Sequence, residues 1–355
     1  MRSLIDILDL SVEEIDALIA TAEDIIANPA RYADVCRGKQ LAALFFEPST
    51  RTRLSFESAM LALGGHVLSV PGAALSSAAK GESIADTAKT VSCYADIIAM
   101  RHPLDGAAMV ASRNATIPVI NAGDGGHNHP TQTLADLLTI HREKGHLGNL
   151  TVGICGDLKY GRTVHSLIAA MSRYSGVRFV LIAPDALRVP DYVTDSLKQK
   201  GIPYEETTSL EDAMPTLDIL YMTRIQRERF FDPALYEALK DSYILTAEKM
   251  QLARPDMCVM HPLPRVNEIS VQVDSDPRAC YFKQTFNGKM MRMALIMKLL
   301  SDASEPAPQP QLYHHLRCVN PRCVCQTEQE LQPAFFRVPG QKDVYRCLYC
   351  EMLAQ

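Results

Sequence analysis

Residues 47–53 read Glu47-Pro48-Ser49-Thr50-Arg51-Thr52-Arg53. They follow the apolar run 41–46 and precede a helical pattern of Leu54, Phe56, Ala59, Met60 and Leu63, closed by Gly64-Gly65. Two hydroxyl–arginine pairs thus stand with free backbone N–H groups at a helix N-terminus. Such N–H groups and the helix dipole favour an anion, and Arg binds one bidentately. This is phosphate chemistry. Other strand-like runs also end in polar clusters: Arg101-His102-Pro103, Gly123 through Gln132 with His127, His129 and Thr131, Gly156 through Thr163, Thr223-Arg224-Ile225-Gln226-Arg227, and His261-Pro262-Leu263-Pro264-Arg265. Cations and neutral amides dominate them, with few carboxylates beyond Asp124 and Asp157. The site should bind a ligand carrying several negative charges. His127-x-His129 has the wrong spacing for a metal pair on one helix face. Gly153, Gly156 and Gly161 do not make a dinucleotide fingerprint, and no P-loop lysine follows. The expected chemistry is electrostatic polarisation by Arg and His without a cofactor.

Alternating strand-like and helix-like runs must position these residues. Strands are expected at 41–46, 97–101, 118–121, 151–155, 178–182, 219–222 and 257–260. Helices are expected at 11–27, 52–63, 83–93, 131–144, 160–172 and 190–200. This alternation indicates parallel sheets with helices on both faces. The halves before and after about residue 140 each read as one doubly wound unit, and their interface is the default place for a small-molecule site. Residues 287–300 are apolar nearly all round and read as a buried closing helix whose methionines fill core. Ser11 and Glu14 fit a capping box ahead of a face made by Ile15, Leu18, Ile19, Ala22, Ile25 and Ile26.

The chain has 355 residues, 47% hydrophobic and 22% charged, with a net charge of −5. That length predicts two or three domains, and the charge gives no support for a nucleic-acid partner. No apolar run reaches the roughly 20 residues of a membrane helix, and the N-terminus lacks signal-peptide order. A cytoplasmic protein without membrane association is expected. Cys36, Cys93, Cys155, Cys258 and Cys280 are scattered and read as reduced core thiols. Cys318, Cys323, Cys325, Cys347 and Cys350 instead crowd the end of the chain, after a proline-alternating spacer at 304–311.

Taken together, Ser49 through Arg53, Lys80-Gly81-Glu82-Ser83, Met100-Arg101-His102-Pro103, His129-Pro130-Thr131-Gln132, Gly156 through Arg162 and His261 through Arg265 resemble the aspartate/ornithine transcarbamoylase family. Met222 through Gln226 and the Leu263-Pro264-Arg265 ending look like its aspartate branch; the ornithine enzymes carry a Cys in the latter segment. The resemblance covers residues 1 to about 302. It implies two doubly wound parallel-sheet domains with the active site between them: a carbamoyl-phosphate-binding domain at 1–134, closed by a helix at 287–302, and an aspartate-binding domain at 135–286. It implies catalytic roles for Arg51, Thr52, Lys80, Arg101 and His129. Ser49, Thr50, Arg51, Thr52, Ser76, Lys80, Arg101, His129, Gln132, Pro262 and Leu263 would bind carbamoyl phosphate. Lys80, Arg162, Arg224 and Gln226 would bind aspartate. The implied reaction yields N-carbamoyl-L-aspartate and phosphate, an early step of pyrimidine biosynthesis, with no cofactor in catalysis. The partners implied are the two substrates and further copies of the chain, in a homotrimer with shared active sites. Alternatives are a different amino-acid acceptor, against which Arg162 and Arg224 speak, or a non-catalytic assembly subunit, against which Arg51, Lys80, Arg101 and His129 speak.

After a linker at 303–312, residues 313–355 resemble the zinc domain of the regulatory chain of aspartate transcarbamoylases. Cys318-x4-Cys323 and Cys347-x2-Cys350 would hold a structural Zn²⁺ in a small β-rich domain, with Cys325 able to compete with Cys323. About 43 residues cannot build a core alone, so the metal should supply folding energy. A redox pair and a nucleic-acid knuckle are the alternatives. The regulatory chain's nucleotide-binding domain does not precede this tail, so nucleotide feedback by that route is not expected. A larger assembly through the tail is left open.

Overall fold

The computed structural model describes residues 2–73, 76–225, 233–302, 310–328, 330–338, 341 and 343–354. The chain divides into two units, Met1–Thr131 with Lys289–Gln355, and Gln132–Gly288. In the first unit α1 (Val12–Ala27) and α2 (Pro29–Tyr32) precede β1 (Gln40–Phe45), α3 (Thr50–Ala62), β2 (His66–Val70), α4 (Ile84–Val91), β3 (Ile97–His102), α5 (Ala107–Asn114) and β4 (Val119–Asp124). The four strands are parallel, in the order β2-β1-β3-β4. β1 and β4 are almost wholly buried, and their apolar runs read plainly in the sequence. Edge strand β2 is largely exposed and mixes His66 and Ser69 among its apolar residues, so it escaped the pattern.

α1 starts as expected: Ser11 Oγ accepts the Glu14 N–H at 3.2 Å while the Glu14 carboxylate accepts the Ser11 N–H at 2.9 Å. Its Ile15, Leu18, Ile19, Ala22 and Ile25 are buried.

After α6 (Pro130–Lys144), the second unit carries β5 (Thr151–Cys155), α7 (Arg162–Met171), β6 (Arg178–Ile182), α8 (Asp191–Gln199), β7 (Tyr204–Thr207), α9 (Leu210–Ala213), β8 (Ile219–Met222), α10 (Pro233–Leu239) and β9 (Cys258–Met260). Its sheet is parallel with order β7-β6-β5-β8-β9. α7 begins at Arg162 rather than Tyr160, because the Asp157 carboxylate accepts the Tyr160 N–H at 2.9 Å and holds a turn there.

α11 (Tyr281–Ser301) starts six residues before the expected closing helix. Its first turns are not buried all round: Phe282 and Phe286 are exposed, while Met290, Met291, Met293, Leu295, Ile296 and Leu299 are core. Cys93 is also exposed, unlike Cys36, Cys155, Cys258 and Cys280. Among the described residues no helix is long and apolar enough to cross a membrane.

The tail forms a small antiparallel sheet, β10 (Leu312–Tyr313), β11 (Phe335–Arg337) and β12 (Tyr345–Cys347). Leu312, assigned above to the linker, is therefore already in a strand; residues 303–309 lie outside the described residues. Phe335, Leu348, Tyr349 and the buried cysteines join Ile84, Ala85 and Ala88 of α4 and Ala107, Ala108 and Ala111 of α5 in one apolar cluster. A segment this short has too little interior of its own, so it completes a core on the first unit.

Candidate active site and thiol cluster

Strand order gathers the expected phosphate residues at the carboxyl edge of the first sheet. β1 leads into α3, whose N-cap Ser49 makes no side-chain capping bond, so that hydroxyl is not spent on the helix. Thr52 is buried and Arg51 is exposed. Arg53 is engaged elsewhere, 3.5 Å from Glu57 and 3.3 Å from Ser69 Oγ.

On the neighbouring strand Arg101 stands in register with Phe45, and its carbonyl accepts the Phe46 N–H at 2.9 Å. Arg101 Nη2 lies 2.7 Å from Glu47 Oε2, yet that oxygen and Arg101 Nε make no hydrogen bond among the described residues. Burial pushes the guanidinium pKa below its ordinary value, with Glu47 opposing. A largely buried, incompletely bonded guanidinium is a receptor for an anionic oxygen. The next residue, His102, is pushed down to about 4 by burial.

Beyond β4, Asp124 organises the loop before His129. Its carboxylate accepts N–H groups from Gly106 at 2.7 Å and Asn128 at 3.1 Å, and the Asn121 amide at 2.9 Å. His127 Nδ1 lies 3.1 Å from Asp124 and Nε2 3.6 Å from Glu351. Burial opposes the charged imidazolium, but the two carboxylates outweigh it and hold its pKa well above the ordinary value. His127 is thus engaged by two carboxylates. His129 is 5% exposed, with Nδ1 3.5 Å from Thr131 Oγ1. Arg292 of α11 reaches the same hydroxyl at 3.4 Å, donates to Ser55 Oγ at 3.0 Å and lies over the Phe56 ring. Past β2, Ser76 Oγ donates to the Ala73 carbonyl at 2.9 Å, and Lys80 ends the exposed turn Ser77–Lys80.

The second unit repeats the arrangement at the ends of adjacent β5, β8 and β9. Arg162 opens α7, and Arg224 follows β8. Gln226 lies outside the described residues. After β9, buried His261 accepts the Leu263 N–H on Nδ1 at 2.7 Å. Its proton is therefore on Nε2, which donates to Glu268 at 2.7 Å. This pair sets the turn holding Pro262 and Leu263, where Leu263 has φ +53°. On α6, Gln132 Nε2 donates to Asp136 at 2.8 Å, and the buried Asp136 also accepts Tyr221 Oη at 3.0 Å and the Gln284 amide.

Asp136, Glu268, Arg292 and Glu47 went unassigned in the sequence reading. Asp136 had a signal, four residues after Gln132 on one helix face. Arg292 hid inside a methionine-rich run. Glu268 and Glu47 act through loop geometry that no periodicity reveals.

In the tail, the sulfurs of Cys318, Cys323, Cys325 and Cys347 lie within 4.8 Å of one another. Cys350 Sγ is 3.6 Å from Cys318, and Cys325 Sγ is 3.3 Å from Cys323. Five thiols thus converge on one point, with Cys325 beside Cys323 rather than apart from it. Hydrogen bonds from Cys323, Cys325 and Cys350 drive the Cys347 pKa down. A convergent, mostly buried thiol set with no disulfide suits a soft divalent cation.

Family comparison gives three matches along the chain. Residues 2–142 match the carbamoyl-P binding domain of aspartate/ornithine carbamoyltransferases, and residues 148–299 match their Asp/Orn binding domain. Residues 310–355 match the metal binding domain of the aspartate carbamoyltransferase regulatory chain. The chain is 62% identical over 302 residues to an aspartate carbamoyltransferase catalytic subunit of Lachnoclostridium phytofermentans, covering 85% of this chain and 98% of that one. It is 59% identical over 299 residues to the catalytic subunit of Clostridium novyi, covering 84% and 98%. Among solved structures, the catalytic subunit of M. jannaschii aspartate transcarbamoylase superposes with TM-score 0.80 at 47% identity, covering 85% and 99%. The Trypanosoma cruzi aspartate transcarbamoylase with carbamoyl phosphate and aspartate superposes with TM-score 0.80 at 40% identity, covering 84% and 97%.

Proposed function

This chain belongs to the aspartate/ornithine carbamoyltransferase family and transfers the carbamoyl group of carbamoyl phosphate to the amine of L-aspartate; we propose the following division of labour for it. Ser49, Thr50, Arg51 and Thr52 hold the phosphate at the start of α3, with Ser76 and Lys80 closing over it. Arg101 bridges phosphate and carbonyl oxygen. His129 and Thr52 join Arg101 in polarising the carbonyl. Gln132 and the carbonyls of Pro262 and Leu263 bind the carbamoyl NH2. Arg162, Arg224 and Gln226, with Lys80, bind the two carboxylates of aspartate. The domains are assigned at 1–134 with the helix through 302, 135–286, and 313–355.

The deprotonated amine attacks the carbamoyl carbon, forming a C–N bond. Negative charge gathers on the carbonyl oxygen, where prepositioned donors contribute roughly 3–4 kcal/mol each. The C–O bond to phosphate then breaks, and the leaving phosphate takes the amine proton. Arg101, largely buried at the end of β3 and without a hydrogen-bond partner at Nε among the described residues, is the observation that supports this assignment.

The tail's thiols, Cys318, Cys323, Cys347 and Cys350 with Cys325 as competitor, are proposed to hold a structural Zn²⁺, which would supply folding energy and no chemistry. We also propose a cytoplasmic homotrimer in the pyrimidine pathway, with active sites shared between chains. Measuring product from carbamoyl phosphate with aspartate and ornithine in parallel tests the acceptor. Aspartate alone should be carbamoylated at a useful rate; preference for ornithine would refute the role given to Arg162 and Arg224.

A further inference from the structure

We propose that the metal-binding tail positions the carbamoyl-phosphate residues of its own chain, by gripping the three segments that carry Lys80, Arg101 and His129. The inference rests on the roles given to those residues above.

The first grip is at α4. The Glu328 carboxylate accepts the Ile84 N–H at 3.2 Å, four residues after Lys80. Ile84 opens α4, so the carboxylate also meets the positive end of that helix.

The second grip is at Asp105, four residues after Arg101. Its N–H donates to the Arg322 carbonyl at 3.0 Å and its carbonyl accepts the Val324 N–H at 2.9 Å. Its carboxylate accepts the Asn320 amide at 2.8 Å and the Gly126 N–H at 2.7 Å. One buried side chain thus joins the tail both to the end of β3 and to the loop before His129.

The third grip is Glu351 on His127, two residues before His129, with Asp124 on the far side of the ring. The gripping residues are interleaved with the thiols. Asn320 lies between Cys318 and Cys323, Val324 follows Cys323, and Glu351 follows Cys350. Whatever orders the thiol cluster therefore orders the grips. A tail that merely covered apolar surface would need only the packing of Leu348, Tyr349 and Phe335 on α4 and α5, and would not place polar groups at these three points.

The test uses the full, metal-loaded chain. Asn320→Ala and Glu328→Ala each remove about one net hydrogen bond, so each should weaken inorganic phosphate binding and raise KM for carbamoyl phosphate roughly fivefold. KM for aspartate, metal content and Tm should stay near wild type. Hydrogen exchange should quicken in residues 77–91 and 123–130. The exchanged pair Asp105→Asn with Asn320→Asp keeps an acceptor for Gly126 and a donor–acceptor pair across the contact, and should restore phosphate affinity. Wild-type phosphate affinity and exchange in both single variants would overturn the proposal. So would a chelator-stripped protein whose tail is protease-sensitive but which binds phosphate normally. Failure of the unmodified chain to make carbamoylaspartate would instead refute the assigned reaction, and phosphate affinity remains readable in that case.

Discussion

Arg51 and His129 are the side chains on which the proposed chemistry most depends. Arg51→Ala and His129→Ala should each lower turnover on the order of 10²–10³, the usual cost of removing a positioned donor. Circular dichroism and Tm should show both variants folded; near-normal kinetics in folded His129→Ala would remove its role. His102 makes a separate, pH-dependent prediction. Its folded pKa is about 4, lowered by burial, against an ordinary 6.5. Between those values the unfolded chain binds a proton that the folded one refuses, so stability is fully present above pH 6.5 and falls as pH drops towards 4. The loss is at most about 3 kcal/mol. His102→Gln should flatten this part of the denaturation-midpoint profile relative to wild type; superimposable profiles would show that His102 does not titrate as its burial requires. Of the residues proposed for the site, Arg51, Arg101 and His129 are suggested by residue type alone, because anion chemistry demands such types. Glu47 beside Arg101, Asp136 beside Gln132 and Glu268 beside His261 are ordinary acids in sequence, and only proximity gives them work.

At the scale of elements, buried strands were legible, β4 and β9 at sheet edges included, and exposed edge strands were not. β1 and β5 read as continuous apolar runs, while β2 and β7 expose much of their length and carry His66, Ser69, Glu205 and Glu206. Helix starts were legible where a cap marks them. Ser11→Ala should cost about 1 kcal/mol by loss of the capping bond, read as a lowered midpoint of denaturation. The start of α5 has a different requirement. Gly106 has φ +86°, and a Cβ there would sit 2.6 Å from Tyr349 Cβ. Gly106→Ala would add roughly 1–2 kcal/mol of left-handed strain to that clash. Limited proteolysis should then cut within 310–355 faster than in wild type, with helical content retained; an equally protected tail would show that the loop and Tyr349 adjust freely.

For the whole molecule, the question is what the tail and neighbouring chains add. Purified protein should carry one zinc per chain, and Cys347→Ser with Cys350→Ser should abolish it. An ordered tail in metal-free wild-type protein would contradict the structural role given to the ion. Shared active sites make a distinct prediction. Lys80 sits on an exposed turn and is a mobile point charge suited to closing over a phosphate held by Arg51. Lys80→Ala and Arg51→Ala chains, each nearly inactive alone, should regain activity when mixed into hybrid trimers, because one kind of site then collects both lesions and another escapes both. Hybrids verified by mass that stay inactive would mean that each chain builds its site alone.

Sequence by itself determined the α/β class, the phosphate-binding character of the strand ends and the metal-binding character of the tail. Each of these is written in residue type and short spacing: hydroxyls and arginines after an apolar strand, thiols in close pairs. Tertiary structure decided which polar residues support the site and where the tail sits. Asp136 meets Tyr221 and Gln284, and Asp105 meets Asn320, across 85, 148 and 215 residues of chain. No local pattern encodes such pairings. They are set when apolar faces such as those of α4, α5 and Phe335 close on one another, bringing into contact polar groups that burial then forces to pair.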